Sequence, residues 1–169
     1  MRCISVVLIL FFSTPAFALE IKSEAFEKGG YINSEYTCEA EDISPALSWS
    51  DVPVGTKSFA LICDDPDAPA KSWSHWVIFN IPADKANLAK DIPKIGRFDD
   101  GTIQGLNDFG KVGYGGPCPP PGRAHRYFFK LYALDTNLLL YENATKDDCL
   151  EAIKGHIIAE AETFGVYKK

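Results

Sequence analysis

The sequence predicts a mostly β protein, a sandwich of antiparallel sheets that carries one small helix. Three segments are predicted strands because aromatic and β-branched residues dominate them: residues 58–65, 75–82 and 125–135. Proline, glycine or aspartate bounds each of these segments, and only one stretch has both the period and the capping residues of a helix. Many short strands with few helices favour two packed sheets.

The first eighteen residues are set apart from the fold as a predicted secretory signal. Arg2 gives a positive start, residues 4–12 are apolar except for Ser5, and Ala16 and Ala18 have the spacing that a signal peptidase accepts. The apolar run is too short to span a bilayer. We therefore expect removal of residues 1–18, a single domain over 19–169 with no transmembrane segment, and a periplasmic or secreted protein.

The elements of the domain follow in chain order. Residues 44–53 predict a short strand between turns, and residues 157–167 alternate as a final strand. In the segment 125–135 both faces are apolar, so we expect this strand to be covered on both sides. Residues 91–122 form a long segment rich in turn residues, and loops of that length are usually functional.

One helix is predicted after residue 144. Thr145 can cap its N-terminus, and Asp147 and Asp148 lie in the first turn, where the helix dipole favours acids. Gly155 suits the end of the helix. Spacings of three and four residues predict one apolar stripe, made of Leu150, Ile153 and Ile157.

Charge and cysteine usage restrict the function classes. The formal net charge is −6, which disfavours nucleic acid and anionic membrane surfaces as partners. Four cysteines follow the signal, and three full pairings are open to them. Their spacing excludes a C-x-x-C redox or zinc signature, and export permits disulfides. We expect one bridge between the two cysteines in loops, with two buried thiols.

Polar residues cluster at the ends of three predicted strands. His75 and His125 each open a strand, and Tyr127 shares a face with His125. The segment 64–69, DDPDAP, places Asp65 and Asp67 around a proline that stiffens the turn. A carboxylate near an imidazole would raise its pKa, so we expect anion affinity to fall as pH rises.

The segment 113–122, GYGGPCPPPG, combines glycines with prolines. Its prolines donate no N–H, which leaves the amides of Gly115, Gly116 and Cys118 as donors. Glycines allow such amides to turn toward a small anion such as a phosphoryl group. The glycine spacing does not match a nucleotide P-loop. His156 is assigned to packing or to the surface.

Taken together, several segments resemble the phosphatidylethanolamine-binding protein family, in its bacterial Raf-kinase-inhibitor-like branch. The matching segments include DPDAP (65–69), HWVIFNIP (75–82), GLNDFGKVGYGGPCPPPG (105–122) and HRYFFKLYALD (125–135). They cover nearly the whole chain beyond the signal, in the family's order. The resemblance implies a Greek-key antiparallel β-sandwich with a small helix near the C-terminus and short helical additions.

The resemblance also implies an anion pocket at one end of the sandwich. It places Asp65 beside His75, adds His125 and Tyr127, and takes backbone donors from the Gly116-Pro117 turn. The implied ligand-binding residues are Asp65, Asp67, Pro69, Trp73, His75, Gly115, Gly116, Pro117, His125 and Tyr127. Cys38 and Cys118 fall in loops near the expected pocket mouth, and we hypothesise that they form a disulfide.

The resulting prediction is an exported, non-enzymatic binder of phosphate, phospholipid head groups or other small anions. The alternatives are inhibition of a protease or kinase through protein contacts, and hydrolysis with His75 or His125 as general base. The sequence has neither a G-x-S-x-G elbow nor an H-E-x-x-H pattern, so we predict no catalytic residue, metal or cofactor. Whether the chain binds a protein partner or forms a homodimer stays open.

Overall fold

The computed structural model describes residues 18–169 and consists of two antiparallel sheets with one short α-helix. The predicted signal, apart from Ala18, lies outside the described residues. A short 3₁₀ helix spans Ser34–Tyr36. The elements in chain order are β1 (Glu20–Ser23), β2 (Leu47–Ser50), β3 (Ser58–Asp65), β4 (Trp73–Pro82), β5 (Asn87–Leu88), β6 (Ile103–Gln104), β7 (His125–Leu134), α1 (Lys146–Ala152) and β8 (Ile157–Tyr167). The predicted fold class is confirmed.

The larger sheet determines where the functional residues meet. Its strand order is β6-β4-β3-β7-β8, and the smaller sheet has the order β1-β2-β5. Strands β3 and β8 have the bounds predicted from the sequence, whereas β4 begins two residues before the predicted start. The early start comes from a register shift after Cys63, which pairs Asp65 with Trp73. The C-terminal end of β3 therefore lies between the first residues of β4 and β7.

Both faces of the larger sheet are buried. One face packs against the smaller sheet, where Trp49 meets Phe59 at a ring-centroid distance of 5.2 Å. The opposite face packs against α1 and the loop before it, with Cys149 and Ile153 fully covered. Every residue of β3 is buried as a result. The expectation that the strand at 125–135 is covered on both sides is confirmed, since it contributes to both clusters.

The helix begins as predicted and ends earlier than its apolar spacing suggested. Thr145 forms a capping box with Asp148, and this pairing satisfies backbone donors in the first turn. Gly155 adopts a φ of +77°, so the chain turns there. The prediction that Ile157 belongs to the apolar stripe of the helix is wrong, because that residue lies in β8 and is 42% exposed. The helix has only two turns, and its apolar face is made by Cys149 and Ile153.

The four cysteines within residues 18–169 form one disulfide bridge and leave two free thiols. Cys38 and Cys118 are disulfide-bonded across 80 positions of the sequence, which is the hypothesised pairing. Cys63 and Cys149 are free and buried. Burial raises the pKa of the Cys149 thiol to about 12, and that of Cys63 is also raised by burial. These two thiols are packing residues, because the reactive form of a cysteine is the thiolate.

The long segment 91–122 is anchored by two buried amide side chains. Gln104 accepts a hydrogen bond from the Trp76 indole at 2.7 Å. Asn107 donates to the carbonyl of Gly113 and accepts from the N–H groups of Phe109 and Lys111. These bonds hold Phe109 at the end of the larger sheet. Across residues 18–169, no helix has the length and apolar character needed to cross a bilayer.

Candidate functional site

A cavity of about 170 Å³ opens where the end of β3 meets the starts of β4 and β7. Antiparallel neighbours bring these ends to one edge of the sheet. Six of the residues that the sequence predicted line this cavity: Asp65, Pro69, Trp73, His75, His125 and Tyr127. Three separate strands therefore converge on one small site, as the strand-end pattern indicated.

Asp65 pairs with a different histidine from the one that the resemblance placed beside it. Its Oδ2 accepts a hydrogen bond from Nδ1 of His125 at 2.7 Å, and both side chains are about 95% buried. Its Oδ1 accepts from the N–H of Asp67 at 2.8 Å and so holds the turn after β3. The expected partner, His75, is turned toward another group. Both β4 and β7 lie beside β3, so strand order alone does not decide the pairing, which the structure gives to His125 of β7.

His75 is bonded to the main chain of the glycine-rich segment. Its Nδ1 lies 2.6 Å from the carbonyl oxygen of Gly115. A carbonyl oxygen only accepts, so Nδ1 carries the hydrogen and the neutral ring has its lone pair on Nε2. The ring also makes edge contacts with Phe109 and Tyr127, at centroid distances of 5.4 and 5.1 Å.

The expectation that a carboxylate raises the pKa of the histidines is wrong for His75. Burial lowers the pKa of His75 below 6.5, because a charged imidazole loses its hydration there. The hydrogen bond to Gly115 and the charges of Asp65 and Asp108 act in the opposite direction and are outweighed. Near neutral pH, His75 is therefore an uncharged group of the cavity wall.

This shift predicts an acid-sensitive contribution to stability. Below pH 6.5 the unfolded chain binds a proton at His75 more readily than the folded chain, so stability is lost as pH falls. We expect the free energy of unfolding, measured by urea titration from pH 7 to pH 5, to fall less steeply in His75→Asn than in the wild type. His156→Asn, at an exposed histidine, is the matched control. Equal slopes in His75→Asn and the wild type would contradict the prediction.

Two buried donors of the wall have no protein partner within residues 18–169. They are the hydroxyl of Tyr127 and the indole N–H of Trp73. Burial raises the pKa of Tyr127, so its hydroxyl keeps the proton. A buried polar group without a partner costs about 1–3 kcal/mol. Both groups are suited to donate hydrogen bonds to a molecule inside the cavity.

Two of the three backbone donors that the sequence predicted, those of Gly115 and Gly116, are bonded elsewhere, and the expectation is corrected for them. The N–H of Gly115 donates to the carbonyl of His75 at 2.9 Å, and the N–H of Gly116 donates to Oδ1 of Asp42 at 2.6 Å. A Cβ on Gly116 would lie 2.3 Å from the carbonyl oxygen of Tyr36. These glycines allow close packing of the chain behind the cavity, and neither they nor Pro117 line it.

Asp67 is another predicted wall residue that does not line the cavity. Its carboxylate accepts two hydrogen bonds from the Arg126 guanidinium, both at 2.8 Å, and one from the Arg126 N–H at 3.0 Å. These hydrogen bonds lower the pKa of Asp67 to about 2. Arg123 also donates to the main-chain carbonyl of Asp67. The residue therefore fastens the turn after β3 to the start of β7.

Four residues of the wall were missed by sequence reasoning, namely Ala68, Phe109, Pro119 and Pro120, whereas Cys118 was predicted near the mouth and does line the cavity. Phe109 lies in a matching motif but is 34 positions from His75, so only the fold brings the two rings together. The three last residues belong to the proline-rich segment, which forms the mouth of the cavity. The disulfide to Cys38 fastens this mouth to the loop after the 3₁₀ helix.

The wall offers hydrogen bonds rather than fixed positive charge. No lysine or arginine is among its described residues, and its one carboxylate is bonded to His125. The remaining polar groups of the wall residues are the imidazole Nε2 atoms, the Tyr127 hydroxyl and the Trp73 indole N–H, and the last two are buried without a partner among the described residues. Around them lie aromatic and proline surfaces. Such a site can hold a small oxygen-containing group of low charge.

Comparison with known proteins identifies the family. The family model described as phosphatidylethanolamine-binding protein matches residues 22–168. The chain belongs to the phosphatidylethanolamine-binding protein family. The resemblance found in the sequence motifs is thereby confirmed, and the chain is a binding protein of that family.

Relatives of this phosphatidylethanolamine-binding protein family member span several distant organisms. A UPF0098 protein of Methanothermobacter thermautotrophicus is 56% identical over 151 residues, covering 89% of this chain and 99% of the relative. Two solved structures each have a TM-score of 0.82 and overlap 90% of this chain. A putative phosphatidylethanolamine-binding protein homologue from Chlamydia trachomatis is 43% identical and 98% covered. YbcL of E. coli, described as a new member of the mammalian phosphatidylethanolamine-binding protein family, is 37% identical, and 99% of its chain is covered.

Proposed function

We propose that this protein is a non-enzymatic binder that holds a small phosphorylated or similar oxyanion in the cavity at the end of β3. The observation that carries the proposal is that two residues of the cavity wall, Tyr127 and Trp73, have a buried hydroxyl and a buried indole N–H without a protein partner within residues 18–169. Oxyanions supply the acceptors that such donors need. The family's name supports the same ligand class.

The size of the site restricts how much of a ligand it takes. About 170 Å³ is below the range of cavities that enclose drug-sized molecules. It suits a phosphoryl or carboxyl group, with any remaining part of the ligand outside the mouth. A phospholipid would therefore be held by its head group.

We also propose that the protein acts in the periplasm or outside the cell. The predicted signal over residues 1–18 supports this location, and so does the Cys38–Cys118 disulfide, since such bonds persist in oxidising compartments. Cell fractionation of the full chain carrying a C-terminal tag, with deletion of residues 2–18 as the control, tests it. Recovery of the full chain in the cytosolic fraction alone would refute the location.

The binding proposal predicts a specific effect of Tyr127→Phe. Loss of one hydrogen bond to a charged group should weaken binding of phosphate and phosphorylethanolamine about tenfold. Stability should stay unchanged or rise, because the hydroxyl has no hydrogen bond to lose among the described residues. Calorimetric titration of the mature protein and the variant measures the affinity, and thermal unfolding measures the stability.

Tyr141→Phe is the matched control, since Tyr141 is 72% exposed and does not line the cavity. It should bind as the wild type does. Binding by Tyr127→Phe at wild-type strength would place the ligand elsewhere. Absence of phosphate and phosphorylethanolamine binding in the wild type would refute the proposed ligand class.

A further inference from the structure

We propose that the cavity selects oxyanions that carry a hydroxyl hydrogen, such as a singly protonated phosphomonoester, over phosphodiesters and sulfate esters of the same charge. This inference rests on the proposed function and specifies its ligand class. It follows from the donor and acceptor pattern of the wall, in which one ring nitrogen must accept a hydrogen bond while neighbouring groups donate.

The acceptor is Nε2 of His75. The Gly115 carbonyl, 2.6 Å from Nδ1, requires that Nδ1 carry the hydrogen. Nε2 has no hydrogen-bond partner among the described residues, and the ring is part of the cavity wall. In the neutral ring this nitrogen presents a lone pair. An oxygen that also has only lone pairs would be repelled there, whereas a P–OH group can donate to it.

The surroundings of His75 favour the neutral ring. The groups around it include the aromatic rings of Phe109 and Tyr127 and the uncharged backbone of Gly115 and Gly116. Burial lowers the pKa of His75 despite the charges of Asp65 and Asp108, which act to raise it. Protonation of Nε2 would place a buried charge beside an uncharged partner. Near neutral pH the ring therefore keeps its acceptor.

The other histidine has a different partner and a different role. Nδ1 of His125 donates to the buried carboxylate of Asp65 at 2.7 Å. This bond fixes the His125 ring in the cavity wall. The Tyr127 hydroxyl and the Trp73 indole supply further donors. A ligand that has one protonated oxygen and several unprotonated oxygens matches this arrangement of one acceptor and several donors.

Charge balance also disfavours a fully ionised ligand. The described residues of the wall include the Asp65 carboxylate and no lysine or arginine. A dianion would enter a site that already holds a carboxylate and has no lysine or arginine among its described residues to offset it. A monoanion that donates one hydrogen bond reduces this cost. A phosphodiester is also a monoanion, but it has no hydroxyl hydrogen to give to His75.

The first experiment compares methyl phosphate with methyl sulfate, which have nearly the same shape. Near pH 6 about half of a phosphomonoester is singly protonated, whereas methyl sulfate is a monoanion without a hydroxyl hydrogen. We expect the singly protonated methyl phosphate to bind the wild type about tenfold more tightly, as one hydrogen bond to a charged ligand allows. Dimethyl phosphate should bind as weakly as methyl sulfate.

His75→Asn tests the assigned atom. Its side-chain amide can still donate to the Gly115 carbonyl, while the acceptor at the Nε2 position is lost. The variant should bind methyl phosphate about tenfold more weakly and methyl sulfate within about twofold of the wild type. His156→Asn, at an exposed histidine, should change neither affinity. Equal loss of both ligands in His75→Asn would overturn the inference.

Vesicles distinguish a lipid source of the group from a free one. Phosphatidylcholine vesicles that contain phosphatidic acid present a monoester, and those that contain phosphatidylethanolamine present a diester. Cosedimentation with the phosphatidic acid vesicles alone supports selection of a monoester, and so does cosedimentation with neither vesicle type while methyl phosphate binds. Cosedimentation with the phosphatidylethanolamine vesicles alone overturns the inference. Equal wild-type affinities for methyl phosphate and methyl sulfate overturn the inference and leave the proposed function standing, whereas binding of no oxyanion refutes both.

Discussion

Replacing Cys38 and Cys118 together by alanine should lower the free energy of unfolding by about 4 kcal/mol, the largest single effect expected in this chain. The bridge joins residues that are 80 positions apart, so its loss frees a long loop in the unfolded chain. Urea unfolding of the oxidised wild type and the double variant measures the difference. Because Cys118 belongs to the cavity wall, phosphate binding should weaken as well.

A reducing agent supplies the control for this prediction. It should shift the unfolding midpoint of the wild type toward that of the double variant and leave the variant where it is. Cys63 and Cys149 are free and buried, and both remain in the double variant, so they do not contribute to the difference in unfolding midpoint. If reduction leaves the wild-type midpoint unchanged, the bridge does not stabilise the fold and the prediction is contradicted.

Replacing Asp65 by alanine should cost about 3 kcal/mol of stability and abolish oxyanion binding. The substitution removes the acceptor of the His125 ring and of the Asp67 N–H. The His125 side chain is only 3% exposed, so water cannot easily replace the lost carboxylate. Urea unfolding measures the stability, and calorimetric titration with phosphate measures the binding.

The chain contains a second histidine–aspartate pair that serves as the matched control. His156 and Asp135 are bonded at 2.8 Å, close to the 2.7 Å of the buried pair, but their side chains are 46% and 53% exposed. Asp135→Ala should cost less than about 1 kcal/mol, because exposed ion pairs contribute little. Similar costs for the two substitutions would show that burial is not what makes the Asp65–His125 pair important.

Local patterns were sufficient to predict most elements of the fold. The bounds of β3 and β8 match the segments chosen for their aromatic, β-branched and alternating residues. Thr145 was identified as the helix cap because a hydroxyl followed by acids satisfies the first backbone donors. The strand ends that carry Asp65, His75 and His125 were also found in this way. Each of these features depends on residues only a few positions apart.

The arrangement of the site was not predictable in the same way. The strand that carries Asp65 has His75 on one neighbour and His125 on the other, and only the folded chain shows that His125 bonds to the carboxylate while His75 bonds to the Gly115 carbonyl. The partner of the Gly116 amide, Asp42, lies 74 positions away, and so the glycines could be mistaken for ligand donors. The apolar stripe of the helix failed at Ile157 because the turn at Gly155 ended the helix first.

By itself, the sequence determined the family, the β-rich architecture and the strand ends that hold the polar residues, since motifs, alternation and capping are written in neighbouring positions. Only the tertiary structure decided the hydrogen-bond partners of Asp65 and His75, and with them which cavity groups donate and which accept. The physical reason is that strand register brings together side chains that are remote in sequence, and burial then determines their protonation.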